Sequence, residues 1–334
     1  MRNLSISVHF ARAVLRQTVN RGLDPVSLLR RNRISPRLLL EDDARISVER
    51  FADLQVSTML ALEDEFLGYA SSRMPIGSWS MMCHAVVGSA TLGQALSRYC
   101  RFYQLFDFGL HPVMETDGSV TRLLLHEADD SPGCSGPYFS ELFLCNSHRF
   151  CNWLVREQLP LHSVDLKYEP AARVQEYRQV FMENPVSFGQ PEAGLSLASA
   201  LLERPLQQNE ASLRHFLRHP VLFMLTQHFA KDSWTAKVRD VLRQNMGTLP
   251  EFSEVAQSLQ VHPQTLRRRL TAEGGSFKEI KNRLRRDTAL HFLGKQGLSI
   301  EEIAHRAGFS ESSAFIRAFK SWTGVTPYSY RKGL

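Results

Sequence analysis

Residues 300–331, IEEIAHRAGFSESSAFIRAFKSWTGVTPYSYR, read as a helix, a glycine turn, a second helix and a stop. Ile300, Ile303, Ala304 and Ala307 recur at helical spacing and make one apolar stripe. Glu301 and Glu302 fall in the first turn, where negative charge suits a helix N-terminus. Gly308 ends this helix, because the left-handed conformation of such a turn is cheap for glycine, and Ser310 stands where it could cap the next helix. That second helix turns Phe315, Ala318, Phe319 and Trp322 inward and leaves Ser312, Ser313, Ile316 and Arg317 on the open side. Thr326-Pro327 starts a last short helical turn. Helix, tight turn and helix in this order make the layout that enters the major groove of DNA.

The same grammar occurs upstream, from Pro250 to Gly294, in PEFSEVAQSLQVHPQTLRRRLTAEGGSFKEIKNRLRRDTALHFLG. Val255-Ala256 matches Ile303-Ala304, Leu266 and Leu270 match Phe315 and Phe319, and Arg268 falls opposite Arg317. The later copy has one residue more in its turn region. Ser253 is placed to cap the first helix of the upstream copy, and Pro263 suits the first position of its second helix. Between the copies, Ser276 to Gly294 reads as one long basic helix, with Phe277, Ile280, Leu284, Ala289 and Phe292 apolar. Some 17 helical residues span about 25 Å, enough to hold two readers about one turn of DNA apart.

The exposed N-terminal parts of the two reading helices carry Gln264, Arg267 and Arg268 in the first and Ser312, Ser313, Ile316 and Arg317 in the second. These are the candidate base contacts, since Arg pairs bidentately with guanine and Gln with adenine. Lys281, Arg285, Lys320 and Arg331 are candidates for the DNA backbone. Charge points the same way. Lys and Arg outnumber Asp and Glu by 17 to 9 between Ser233 and Leu334, against 23 to 25 in the rest of a chain whose net charge is +6. The excess sits where phosphates would be neutralised, so binding should weaken with salt.

Residues of about 235 to 331 resemble the double helix-turn-helix domain of AraC/XylS-type bacterial transcription regulators. The matching elements are LRRRL at 266–270, EGGSFKEI at 273–280, SIEEIAHRAGFSESSAFIRAFK at 299–320 and GVTPYSYR at 324–331. Two departures lie in the upstream copy: Gln260 stands where the second has Gly308, and His262 where a serine cap is common. The resemblance also places base contacts on the open positions named above.

The 334 residues, 43% hydrophobic, suffice for at least two cores, so about 200 residues of another domain precede the DNA module. Helices are expected from Val8 to a stop near Gly22, and at Pro25 to Arg31, Pro36 to Leu40, Val48 to Leu62 with Ser47 as cap, Thr91 to Leu105, Phe139 to Gln158 and Val174 to Met182. A hairpin is expected around Asp117-Gly118, a strand at Ser163 to Tyr168, and short strands in VSFGQPEAGLSLA. The fold class is therefore an α+β N-terminal effector domain followed by an all-α double helix-turn-helix domain. The expected divisions are 1–204, a linker and connecting helix at 205–233, and 234–334 with helix-turn-helix motifs at about 252–272 and 300–321.

The N-terminal region is similar to the non-cupin effector domain of regulators related to the ornithine-utilisation type, through TLGQALSRYCRFYQLF at 91–106, VDLKYEPA at 164–171 and YRQVFMENPVSFGQPEAGLSLASALLERPL at 177–206. This resemblance implies a small-molecule effector, homodimerisation, activation and contact with RNA polymerase at promoter DNA. Trp79, Phe102, Tyr103, Phe106 and Trp153 are the aromatic candidates for an effector pocket, and core packing is the competing reading of each. Arg98, Arg101, Glu141 and His148 are charged or titratable candidates.

Five scattered cysteines without CxxC pairs, and no export signal, argue for a cytoplasmic protein without structural disulfides. Cys145, His148 and Cys151, spaced by three, are the one soft-metal or redox candidate, set against ordinary buried residues of an amphipathic helix. No metal, cofactor, membrane span or catalytic motif is expected. The alternatives to an effector-responsive regulator are a ligand-independent architectural DNA binder and an enzyme or redox sensor fused to a DNA-binding module.

Overall fold

The computed structural model describes residues 5–127, 137–169, 177, 180–227, 234–273, 275–295 and 297–332. From the N-terminus come β1 (Ser5–Ser7), α1 (Val8–Asn20), α2 (Pro25–Arg31), a 3-10 turn at Pro36–Leu40, β2 (Arg45–Ser47), α3 (Val48–Leu62), α4 (Ser78–Val87) and α5 (Leu92–Tyr103). The strands β3 (Leu110–Asp117) and β4 (Val120–Glu127) precede α6 (Pro137–Val155), β5 (Ser163–Asp165), β6 (Val186–Ser187), β7 (Ala193–Ala198) and a 3-10 turn at Ser199–Glu203. Helices complete the chain: α7 (Glu210–Phe216), α8 (Pro220–Thr226), α9 (Trp234–Gln244), α10 (Phe252–Ser258), α11 (Pro263–Ala272), α12 (Phe277–Leu293), α13 (Ile300–Arg306), α14 (Ser312–Thr323) and α15 (Pro327–Lys332).

Two compact units result, and neither is one stretch of chain. One comprises Met1–Arg12, Asp24–Leu54 and Ala230–Leu334, the other Ala13–Leu23 and Gln55–Phe229. This differs from a single division at residues 205–233. Two three-residue strands, β1 and β2, pair antiparallel, too small a ribbon to stand alone, and they pack on α12. Two of the four boundaries fall inside α1 and inside α3.

The second unit is mixed α and β. Its sheet has the order β3-β4-β7-β5-β6, antiparallel except for the β5–β6 pair. Asp117 pairs with Val120, so the hairpin turn is Gly118-Ser119, one residue later than expected, with Gly118 left-handed at φ 56°. Helix α5 starts where Thr91 Oγ1 accepts from the Gln94 amide, and α5 and α6 lie against β3 and β7 respectively. The core between them is aromatic: the Phe66 ring lies 4.9 Å from both Phe108 and Phe139, and Tyr103 lies 5.0 Å from Phe143. The expected strand at Ser163 to Tyr168 is limited to Ser163–Asp165, α4 was not expected, and the helix expected at Val174 to Met182 falls largely outside the described residues.

In the first unit α12 carries two cores. Ile280 and Leu284 join Val238, Leu242, Leu249, Val255, Ala256, Leu266 and Leu270 in one apolar cluster. Further along the helix, Leu290 and Leu293 are buried, as are Ile303, Ala304, Phe315, Phe319 and Tyr330 beyond it. The start of α12 is fixed by a reciprocal cap, Ser276 Oγ accepting from the Glu279 amide and Glu279 accepting from the Ser276 amide.

Candidate nucleic-acid interface

Each half of the first unit builds a helix-turn-helix from the apolar pairs that the sequence repeats. Val255 and Ala256 are fully buried on α10, as is Ile303 on α13, with Ala304 beside it. The turns after these helices are both left-handed, at Gln260 (φ 55°) and Gly308 (φ 77°). The departure at Gln260 therefore changes the residue and keeps the backbone. His262 does act as a cap, its Nδ1 accepting from the Gln264 amide at 3.3 Å. Two expected caps move: Glu251, not Ser253, caps α10 in a reciprocal pair with Glu254, and Glu311, not Ser310, precedes α14, its carboxylate accepting from the Ser313 hydroxyl at 3.2 Å and from no backbone amide of the helix. Ser299 and Glu302 form the matching cap at the start of α13.

On the reading helices, Leu266 and Leu270 of α11 and Phe315 and Phe319 of α14 face inward. The opposite face of α11 exposes Gln264, Arg267, Arg268 and Thr271, and that of α14 exposes Ser313, Ile316, Arg317 and Lys320. At the offset that aligns the two copies these positions coincide one for one, since each set is i, i+3, i+4, i+7 on one face. Ser312 is half-buried at the first turn of α14. An open concavity of about 750 Å³ runs along α11, lined by Gln264, Thr265, Arg267, Arg268, Thr271 and Ala272. Thr265 and Thr271 were not singled out from the sequence, although Thr271 completes the periodic set.

The basic residues separate by what they touch. Arg267 and Arg268 are exposed, and Arg267 leans over the Phe252 ring at 5.5 Å, whereas Arg269 stacks on Trp234 at 4.1 Å. Lys320 is exposed. Lys281, a candidate for the DNA backbone, spends its ammonium on Glu251 at 2.8 Å, which holds the Glu251 carboxyl below its ordinary pKa. Arg285, another, donates from Nη2 to the Gly308 carbonyl at 2.8 Å and stacks 4.5 Å from the Phe309 ring. Arg331 is half-buried, with Nε and Nη2 inside the protein. Of these four, Lys320 is the one presented outward.

Asp287 lies inside the same unit, in the middle of α12 and buried. Burial raises its pKa against the pull of Arg286, Ser5 and Arg45. The Ser5 hydroxyl donates to Asp287 Oδ1 at 2.6 Å from 282 residues away along the chain, and Arg45 donates to Ser5 Oγ and to the Ser5 carbonyl. Closer to the C-terminal end of α12, His291 faces Glu49 at 3.7 Å. The helix that joins the readers is thus held from behind by the N-terminal ribbon and the start of α3.

The aromatic effector candidates sit in the other unit. Tyr103 and Trp153 are core residues, the latter stacked 4.4 Å from Phe216, and Trp79 packs on Phe150 at 5.3 Å. Phe102 and Phe106 are half-buried and 5.3 Å apart. Glu141 is buried and accepts from the hydroxyls of Tyr168 and Tyr177. His148 Nε2–H donates to the Leu159 carbonyl at 2.9 Å, and burial lowers its pKa to about 4.

Cys145 accepts from Arg149 Nε at 3.3 Å, and no cluster of three metal-ligating side chains occurs among the described residues. Burial pushes the Cys100 and Cys151 thiols up to about 12, so both are protonated and unreactive at neutral pH. Cys134 lies outside the described residues. No helix among them is long and apolar enough to cross a membrane.

Comparison with known proteins matches residues 22–206 to the arabinose-binding N-terminal domain of AraC transcription regulators, and residues 255–333 to a helix-turn-helix domain. The ornithine utilization regulator of Pseudomonas aeruginosa is 27% identical over 329 residues, covering 98% of this chain and 96% of that protein. The urease operon transcriptional activator of Escherichia coli is 36% identical over 80 residues, 24% of this chain and 27% of its own. Among solved structures, the transcriptional regulator CdpR from Pseudomonas aeruginosa aligns with 92% of this chain and 96% of its own, at 23% identity and a TM-score of 0.36.

Proposed function

Because the chain belongs to the AraC/XylS family of bacterial transcription regulators, we propose that it reads promoter DNA with both α11 and α14 of one monomer, as an effector-responsive activator. The observation that carries the double reading is the coincidence of the two exposed sets, Gln264, Arg267, Arg268 and Thr271 with Ser313, Ile316, Arg317 and Lys320, on helices whose other faces are core. Arg268 and Arg317 suit guanine, Gln264 suits adenine, and Ile316 suits the thymine methyl. Lys320 is left for the phosphates, while Lys281 and Arg285 hold the readers in place.

A small molecule taken up by the unit Ala13–Leu23 with Gln55–Phe229 would be the signal. Two helices, α1 and α3, run from one unit into the other and give that signal a covalent route. Half-buried Phe102 and Phe106 are the more accessible of the aromatic candidates; Trp79 is half-buried against Phe150, and Tyr103 and Trp153 serve the core. A second copy of the chain would double the DNA segments read, and RNA polymerase would be the partner at the promoter. The protein would work in the cytoplasm, as a regulator without a catalytic step.

Arg268→Ala and Arg317→Ala test the reading. Each is expected to relax base preference at one position and to weaken specific binding by about 1–3 kcal/mol. Loss of affinity that is equal for all sequences would make both residues phosphate contacts and refute their assignment as readers.

A further inference from the structure

Gln260 and Gly308 hold the same place in the two copies and the same left-handed backbone, yet only one of them is glycine. The atoms packed against Gly308 explain the difference. A Cβ on Gly308 would overlap Leu249 Cδ1, come within 2.8 Å of its Cγ, and sit 3.1 Å from the Met246 carbonyl oxygen. Leu249 belongs to the other reader: it is 4% exposed and packs with Val238, Leu242, Val255 and Leu266. Its own backbone is left-handed at φ 40°, a conformation that a leucine keeps only where its surroundings hold it. The Leu249 amide donates to the Asn245 carbonyl at 2.7 Å and fixes that bend.

The long helix closes the junction from the other side. Arg285 grips the carbonyl of Gly308 and covers Phe309, and one turn earlier on α12 Lys281 grips Glu251 at the cap of α10. One face of α12 therefore holds the beginning of the first reader and the turn of the second. The helix packs into the cores of both readers, and the seat of Leu249 on Gly308 adds a direct contact between the readers themselves.

We propose that this junction, Leu249 seated on Gly308 and clamped by Arg285, sets the spacing between the two DNA segments that one monomer reads. Leu249 and Arg285 are positioning residues: they act on the distance between segments and leave base choice within each segment to the reading helices. Inserting one base pair rotates one segment against the other by about 34° and moves it about 3.4 Å, which a rigid junction does not follow. The inference rests on the double-reader reading given above.

The test uses the full chain and DNA sites that it selects from a random duplex pool. Binding is then measured at one salt concentration on the best site and on versions with one or two base pairs inserted between the protected segments. The unaltered protein should lose about thirtyfold in affinity per insertion, the scale of a mismatched base pair. Arg285→Gln and Leu249→Ala should each lose less than about fivefold, with the base preferences of both segments unchanged. Arg285→Lys retains the charge and a donor but not the planar stack on Phe309, and should fall between.

Retained base preference in both segments shows that a variant still folds. Variants that bind all sites more weakly while keeping the full insertion penalty would reduce the junction to a structural contact and overturn the proposal. If the unaltered protein protects one segment only, the double reading fails first, and the proposal with it.

Discussion

Replacing Gly308 by alanine perturbs one atom at the point where the two readers meet. The left-handed φ of 77° would cost an alanine about 1–2 kcal/mol. The new methyl would also displace Leu249, which cannot retreat because it is buried in the first core, and such overpacking costs about 1–3 kcal/mol. The sum is about 2–5 kcal/mol. In a Leu249→Ala background the overlap with the leucine side chain is gone and only the 3.1 Å approach to the Met246 carbonyl oxygen remains, so Gly308→Ala should cost little beyond the backbone part and the two changes should couple by about 1–3 kcal/mol. Gln260→Gly, at the equivalent turn where relief of the left-handed backbone is offset by extra freedom of the unfolded chain, should stay within about 1 kcal/mol of the unaltered protein. Amide hydrogen exchange of the full chain, followed in α13 and α14 and in α10 and α11, reads both halves separately, at about tenfold in protection per 1.4 kcal/mol. A Gly308→Ala protein whose α13 and α14 exchange changes by less than about threefold, or does so regardless of Leu249, would refute the packing explanation of this glycine.

Other regions give further expectations. Ser5→Ala removes a hydroxyl donor from buried Asp287 and should weaken protection of α12 by about 1–3 kcal/mol, although Ser5 is 282 residues away in sequence; unchanged exchange in α12 would show that the ribbon does not support it. His148 is held neutral at a pKa of about 4, below the ordinary 6.5, so the unfolded chain binds the extra proton first as pH falls. Its contribution is whole above pH 6.5 and should be lost on acidification towards pH 4, by about 3 kcal/mol. Unfolding of the unit that contains it, followed by urea titration at pH 7 and pH 5, should show this slope, and His148→Gln should flatten it; equal slopes would assign the acid sensitivity elsewhere.

Much of the DNA-binding half was legible in the sequence, because both signals used there are local. Apolar pairs at helical spacing located the helices, and the offset between copies placed Arg268 opposite Arg317 and Leu266 opposite Phe315 before any contact was known. Gln260, read from the sequence as a departure from Gly308, keeps the left-handed turn all the same. What sequence reading missed depends on pairs distant in the chain. Ser5 and Arg45 carry no local sign that they surround Asp287. Lys281 and Arg285 look like any exposed cations of a basic helix until Glu251 and the Gly308 carbonyl appear beside them. The effector candidates were the least legible, since an aromatic residue has the same composition signal in a pocket as in the cluster of Phe66, Tyr103, Phe108, Phe139 and Phe143. Hairpin dipeptides were nearly sufficient: Asp117-Gly118 located the turn but not its register, which Asp117 and Val120 fix by pairing.

The double reading is tested most directly by footprinting the full-length protein on the best site that it selects from random DNA. Two protected major-groove segments about one helical turn apart for each bound monomer are the predicted result, with Arg268→Ala altering base preference in one segment and Arg317→Ala in the other. A single protected segment, or protection without any sequence preference, would contradict it.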